Sequence, residues 1–415
     1  MLPRLPSIRG SLRLHRSPRW LAPILAGAGA LAPLLAACSG EQDSQKSSDS
    51  TGGAPSSGGA SSGGSATATG GTANAGAGPV GDGGSSSIPS GHPLFLAQGH
   101  MGRLTVSCDG GRSWVAQRSD DESARCFQDV GGGTLDCDHS PGAARGVTYG
   151  DGHFFATFGW GEPGKIMGSA DGVTWERVHE GGTFGGLGYS AGRVVAAARD
   201  ALSSSDFGAT WSEPVYTGLS GWNVRRAATA GDLVVIAGDG DGDVADVLVT
   251  SDGGQTFFEP EELPAGCGAD IMHNGGIAYG GGTIVLVGQM GVTCASTDGG
   301  RHFKAGTVGS QVDSHVLWTG SEFMAWSYGT AHRSRDGLTW TSEPTTPNDL
   351  GLGAVASDGR GTLVGVRGGW MVSYEDEVFY RSADGVTWER AESFEGSHPV
   401  IHMTFGYVEE SDACD

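Results

Sequence analysis

Six carboxylates are the first residues whose spacing could do chemistry. Asp239, Asp241 and Asp243 alternate with glycine, and Asp246 follows. Alternate carboxylates on a glycine-rich loop can converge on calcium, a hard cation that takes several oxygen ligands. The loop is not an EF-hand, since Val244 stands at the glycine position and Thr250 at that of the bidentate glutamate. It reads either as a calcium site, with calcium the one cofactor in view, or as a solvated acidic hairpin tip. Two further carboxylates, Asp171 and Asp384, raise a different question. Each lies within the same nine letters, SADGVTWER, at 169–177 and again at 382–390. A single catalytic motif has no need of two copies. His273, His315 and His402 could ligate a metal, but nothing in their spacing requires it, and structural histidines are the simpler reading.

The bulk properties narrow the partners. Among 415 residues, 47 are acidic and 25 basic, for a net charge of −22, and Lys46, Lys165 and Lys304 are the only lysines. Nucleic acid and anionic membrane surfaces repel that charge. At the N-terminus, Arg4, Arg9, Arg13, Arg16 and Arg19 precede an apolar run that ends in Leu35-Ala36-Ala37-Cys38. A basic head, a short apolar core and small residues at its end read as an export signal over 1–37. The Leu-Ala-Ala-Cys ending resembles a bacterial lipobox, which implies lipidation of Cys38. The stretch 38–90 is Gly, Ser, Ala and Thr; it cannot bury a core and reads as a flexible tether. The membrane is then met through the lipid anchor alone.

The nonapeptide is the clearest copy of a sevenfold pattern: Ser or Thr, any residue, Asp, a short run that carries Gly, then an aromatic. Its aspartates are Asp109, Asp171, Asp206, Asp252, Asp298, Asp336 and Asp384, about 46 residues apart on average, a blade-sized period. The chemistry of the pattern is structural. Asp accepts bonds from nearby backbone N–H groups, Gly takes the left-handed conformation of a tight turn, and the aromatic begins the next strand. Short β-rich runs surround each copy, such as RVVAAA and TIVLVG before it and TWERV or TFFEP after it. Four antiparallel strands per unit make a propeller blade, which must stack on neighbours to cover its faces. The first unit lacks a first strand, and the last is followed by PVIHMTFGYV. The expectation over 91–415 is therefore an all-β, seven-bladed propeller closed by the C-terminal strand.

These turns resemble the Asp boxes of the BNR-repeat, or sialidase-like, propeller superfamily. The resemblance implies that the boxes join third to fourth strands on one rim, and that ligand chemistry lies on the opposite face. The loops expected there include Gly159–Lys165, Gly218–Arg226, Gly238–Asp246, Cys267–Asn274 and Gly368–Glu377. They bring Trp160, Trp222, Trp370 and Tyr374, whose faces suit sugar rings and equally suit packing between blades, together with Glu162 and the basic pair Arg225-Arg226. The sialidase catalytic set does not map here. No Arg-Ile-Pro occurs, and no catalytic residue is carried over.

Six cysteines besides Cys38 suggest disulfides in an exported chain. The pairs expected are Cys126–Cys137, Cys267–Cys294 within one blade, and Cys108–Cys414 as a staple on the closing strand; the alternative is free buried thiols. The reading as a whole is a cell-envelope lipoprotein, at the outer membrane or cell surface, that binds a glycan or an envelope protein. The alternative is a glycoside hydrolase, with an acidic pair drawn from Glu162, Asp270, Asp313, Glu375 and Asp376 across a sugar bond.

Overall fold

The computed structural model describes residues 91–100, 102–118, 142–159, 164–240, 246–268, 276–288, 290–367, 377–394, 400–409 and 414, with backbone only at 116–118, 220–223, 225, 239, 240, 377 and 392–394. The expected Cys38, the tether and the Cys126–Cys137 pair lie outside them.

Seven antiparallel sheets follow one another along the chain, and no helix occurs among the described residues. Blades two to seven occupy 144–180, 186–216, 219–250, 276–307, 317–344 and 352–394. Blade one is built from both ends of the chain. Val400–Val408 pairs with His92–Gly99, which pairs with Leu104–Ser107 and then Val115–Arg118. The late strand is thus the innermost strand of the first blade. Behind the closing strand, Cys414 is bonded to Cys108, which lies in the turn of the same blade, with Cα atoms 5.4 Å apart. Cys267 and Cys294 also form a disulfide. It ties the segment entering blade five to that blade's third strand, Val292–Ser296.

Each aspartate of the sevenfold pattern organises its turn in the same way. The hydroxyl two residues before it donates to Asp Oδ1 at 2.7–3.0 Å in all seven. The same hydroxyl accepts a backbone N–H from a turn glycine at 2.8–3.0 Å. The two turn lengths finish differently. In the longer form a side chain four residues on reaches Asp Oδ2: Ser113, Thr210, Thr256 or His302. In the shorter form the tryptophan indole donates to a glycine carbonyl, as Trp175 does to Gly172 at 3.0 Å. Bonds from the Thr210 side chain and backbone hold Asp206 down to about 2. At Asp171 burial pushes upward, but the bonds from Thr174, Val173 and Ser169 outweigh it and the carboxyl stays low.

The turns also join blades. The glycine that donates its N–H to the hydroxyl leans on aliphatic side chains of the preceding blade, in five of the seven turns so closely that a Cβ would collide. At Gly337 the Cβ would lie 2.3 Å from Val285 Cγ2, and at Gly111 2.5 Å from Val364 Cγ2. The same approach recurs at Gly208 on Val178 and Gly300 on Val249, and at Gly385 on Met324; at Gly254 on Val195 and at Gly172 on Leu94 the contact is looser. Gly111 belongs to blade one and Val364 to blade seven, so the series closes the ring. Arginines add to it: Arg333 donates to the Asp384 carbonyl and Arg381 to the Gly110 carbonyl, each reaching the next blade.

Two local features depart from the sequence reading. The run TFFEP does not form a fourth strand in blade four; Phe258 makes a single bridge to Val249. Pro260 has no N–H to continue the ladder. The segment Gly218–Arg226, expected as a loop, lies almost entirely in a twelve-residue first strand, Leu219–Ala230.

Gly111→Ala tests the blade junction. A methyl at that distance, at φ +81°, combines overpacking with left-handed strain and costs about 2–4 kcal/mol. The midpoint of urea unfolding is expected to fall, and Val364→Ala in the same chain to restore part of the loss. Additive losses in the two variants would refute direct contact.

Candidate functional site

The first strands of the blades line the axis, and small residues there allow close approach. A Cβ on Gly146 would meet Gly186 Cα at 2.9 Å, and one on Gly186 would meet the Ala227 nitrogen at 2.5 Å. At the ends of these strands where the chain enters them, a cavity of about 60 Å³ remains. This is the face opposite the Asp turns, since those turns and the hairpins between first and second strands share the other rim. Its lining includes Arg145, Arg226, His315 and His402, with Gly146, Gly186 and Gly276 between them.

Arg226 is the hub. Its Nη1 lies 3.0 Å from His402 Nδ1 and its Nη2 2.8 Å from His315 Nε2. A guanidinium can only donate, so both imidazole nitrogens accept. Each ring is then neutral, with its proton on the other nitrogen. The two rings lie nearly parallel, with centroids 5.5 Å apart. Burial pushes the His402 imidazole well below its ordinary value, and the charge of Arg226 and the neighbouring His315, Arg145 and His100 add to that. Burial also brings the Arg226 guanidinium down to about 10, which leaves it a cation at neutral pH. Arg145 donates to the Phe184 carbonyl at 3.4 Å, and His100 Nδ1 accepts the Ala144 N–H at 3.0 Å. The described lining therefore presents two guanidinium cations and neutral imidazoles in little space. That arrangement can hold a carboxylate or another small anion through charge-assisted hydrogen bonds.

The sequence-expected residues fall unevenly around this mouth. Arg226 reaches it from the first strand of blade four. The Arg225 and Trp222 side chains lie outside the described residues, as do Trp160, Glu162, Trp370 and Tyr374. So do Asp241, Asp243, the Asp239 side chain, Asp270, His273, Glu375 and Asp376. Asp246 is described: its carbonyl accepts the Gly238 N–H at 3.0 Å. No group of three metal-ligating side chains occurs among the described residues. Asp313 sits on the segment entering blade six, where Oδ2 accepts the Tyr328 N–H at 2.8 Å and burial raises its carboxyl. Arg145 and His100 were not singled out in the sequence. The available signal for Arg145 was an arginine opening a first strand of small residues, ARGVTYG.

No protein-family model and no curated protein matches the chain. Among solved structures it is similar to YCF48 from Cyanidioschyzon merolae, at 12% identity and a TM-score of 0.44, over 62% of this chain and 95% of that one. It is similar as well to virginiamycin B lyase from Staphylococcus aureus, at 12% identity and a TM-score of 0.45, over 61% and 85%. A protein from Lactobacillus plantarum gives 10% identity and a TM-score of 0.49, over 76% and 99%. The seven-bladed architecture itself rests on the strand pairing described above.

The neutral His402 sets a pH dependence. Its folded value lies below that of the unfolded chain, near 6.5, so protons bind the unfolded state preferentially. Stability is full above about pH 6.5 and declines below it, by about 1.4 kcal/mol per pH unit for one proton, until the folded value is reached. Urea unfolding at pH 7.5, 6 and 5 should show this decline, and His402→Gln should flatten it. A wild-type midpoint unchanged between pH 7.5 and 5 contradicts the neutral imidazole.

Proposed function

We propose that this chain is an exported, lipid-anchored binding protein. It presents an Asp-box propeller of the sialidase-like superfamily on a flexible stalk and holds a glycan or envelope-protein ligand through the face opposite the boxes. The convergence of Arg226 and Arg145 with His315 and His402 on the axial mouth carries the reading. A 60 Å³ space takes an anionic group rather than a whole ring. The mouth therefore fixes a carboxylate, and the surrounding loops hold the body of the ligand. This suits an acidic sugar or an acidic side chain, and it explains how a chain of net charge −22 binds an anion: the cations lie where burial shields them from the acidic surface.

The test uses sialyllactose and galacturonate, which carry a carboxylate, against lactose, which does not. The acidic sugars are expected to raise the melting temperature, as any ligand selective for the folded state does. Arg226→Gln should lose that ligand-induced shift. Equal shifts from lactose and sialyllactose, or a shift retained in Arg226→Gln, would sink the proposal. Release of free sialic acid would favour the hydrolase instead. Fatty-acid labelling, abolished in Cys38→Ala, checks the anchor.

A further inference from the structure

The third Asp turn breaks a rule the other six keep. In six turns the residue after the aspartate is glycine in the left-handed region, with φ between +69° and +78° at Gly110, Gly172, Gly253, Gly299, Gly337 and Gly385. In the turn of Asp206 it is Phe207, at φ +55°. A bulky side chain there is a genuine backbone outlier. Neither the turn nor the core accounts for it: glycine makes the same turn six times without strain, and Phe207 is 39% exposed.

What Phe207 does touch is a ring and a hollow. It stacks on His153 with centroids 3.8 Å apart and planes 15° from parallel. The two rings form one side of a cavity of about 310 Å³ between blades two and three, on the Asp-turn rim. Gly168, Ser169, Ala170, Asp171, Thr174, Glu176 and Val178 complete its lining. A Cβ at position 168 would lie 3.2 Å from Val178 Cγ1 and 3.6 Å from Phe155 Cε1. His153 Nδ1 lies 3.1 Å from the Asp151 carbonyl. A carbonyl only accepts, so Nδ1 donates, and Nε2 of the neutral ring can accept. Glu176 is exposed, and among the described residues no lysine or arginine lines the hollow.

We infer that this hollow is a second binding site, for a neutral pyranose ring of a glycan. The cavity volume falls in the range of small-ligand sites. Its lining is amphipathic in the way a sugar is. Phe207 and Val178 offer apolar surface to ring C–H groups, while Glu176 and His153 accept hydroxyl protons. Asp171, held ionised by its turn, makes the hollow hostile to acidic sugars. The site therefore differs from the axial mouth in place and in ligand charge, and it does not depend on Arg226.

Saturation-transfer NMR with the methyl glycosides of glucose, galactose, mannose and N-acetylglucosamine tests this on the whole protein. At least one is expected to receive transfer from the wild type, and Phe207→Gly to weaken it at least tenfold. The melting temperature of Phe207→Gly should equal or exceed the wild-type value, because glycine relieves the turn. Arg226→Gln should keep the transfer, which separates this site from the mouth. The proposal is overturned if no glycoside receives transfer, if transfer survives in Phe207→Gly, or if that variant melts lower, which would make the ring a packing element. It is equally overturned if choline binds at the hollow and none of the sugars does.

Discussion

A missing Cβ governs this molecule. Around the ring, a turn glycine occupies space that any larger residue would contest with the aliphatic side chains of the blade before it. The contact is not a matter of turn conformation alone. Gly337 and Gly111 sit against Val285 and Val364, and the hydroxyl–aspartate network holds each glycine there. Local hydrogen bonding and packing between blades are therefore one feature seen from two sides. A network that rigidifies the turn sets the position of the strand after it, and the glycine passes that position to the neighbouring sheet. Since a blade buries its faces only against other blades, this contact makes seven marginal sheets into one ring.

Closure imposes a second constraint. The ring has only one junction where chain ends meet, and three interactions of different kinds converge there. Main-chain pairing joins His92–Gly99 to Val400–Val408, a disulfide joins Cys108 to Cys414, and Gly111 leans on Val364. The disulfide spans 306 residues, so it removes much of the freedom of the unfolded chain. The axial mouth depends on this closure directly. His402 stands on the closing strand and meets Arg226, 176 residues away, from blade four.

What could be read from the letters follows the range of the physics. Asp turns act within five residues, so all seven were legible, as was the unpaired first strand that the C-terminus supplies. Cysteine positions relative to blades gave the two described disulfides. The strand expected at TFFEP failed because Pro260 lies just beyond the pairing. The glycine-to-valine contacts were hidden, because which side chain faces a turn depends on how blades stack. The mouth was half visible. Arg226 stood out as part of a basic pair, and His315 and His402 as histidines that could ligate a metal, but only the radial convergence of first strands puts them within hydrogen-bonding distance. Phe207 was in plain view as the one non-glycine after an Asp-turn aspartate, a signal that carries meaning once its backbone angle is known.

The central claim is that the seven turns are structural junctions between blades and not reagents. Hydrogen exchange at the backbone amides of Gly111, Gly172, Gly208, Gly254, Gly300, Gly337 and Gly385 measures it most directly. If each amide is locked by its hydroxyl and by the preceding blade, all seven exchange only with global unfolding, and their protection falls with denaturant as steeply as stability does. Amides that exchange by local opening, independent of denaturant, would show that the turns are surface loops and that something else holds the ring.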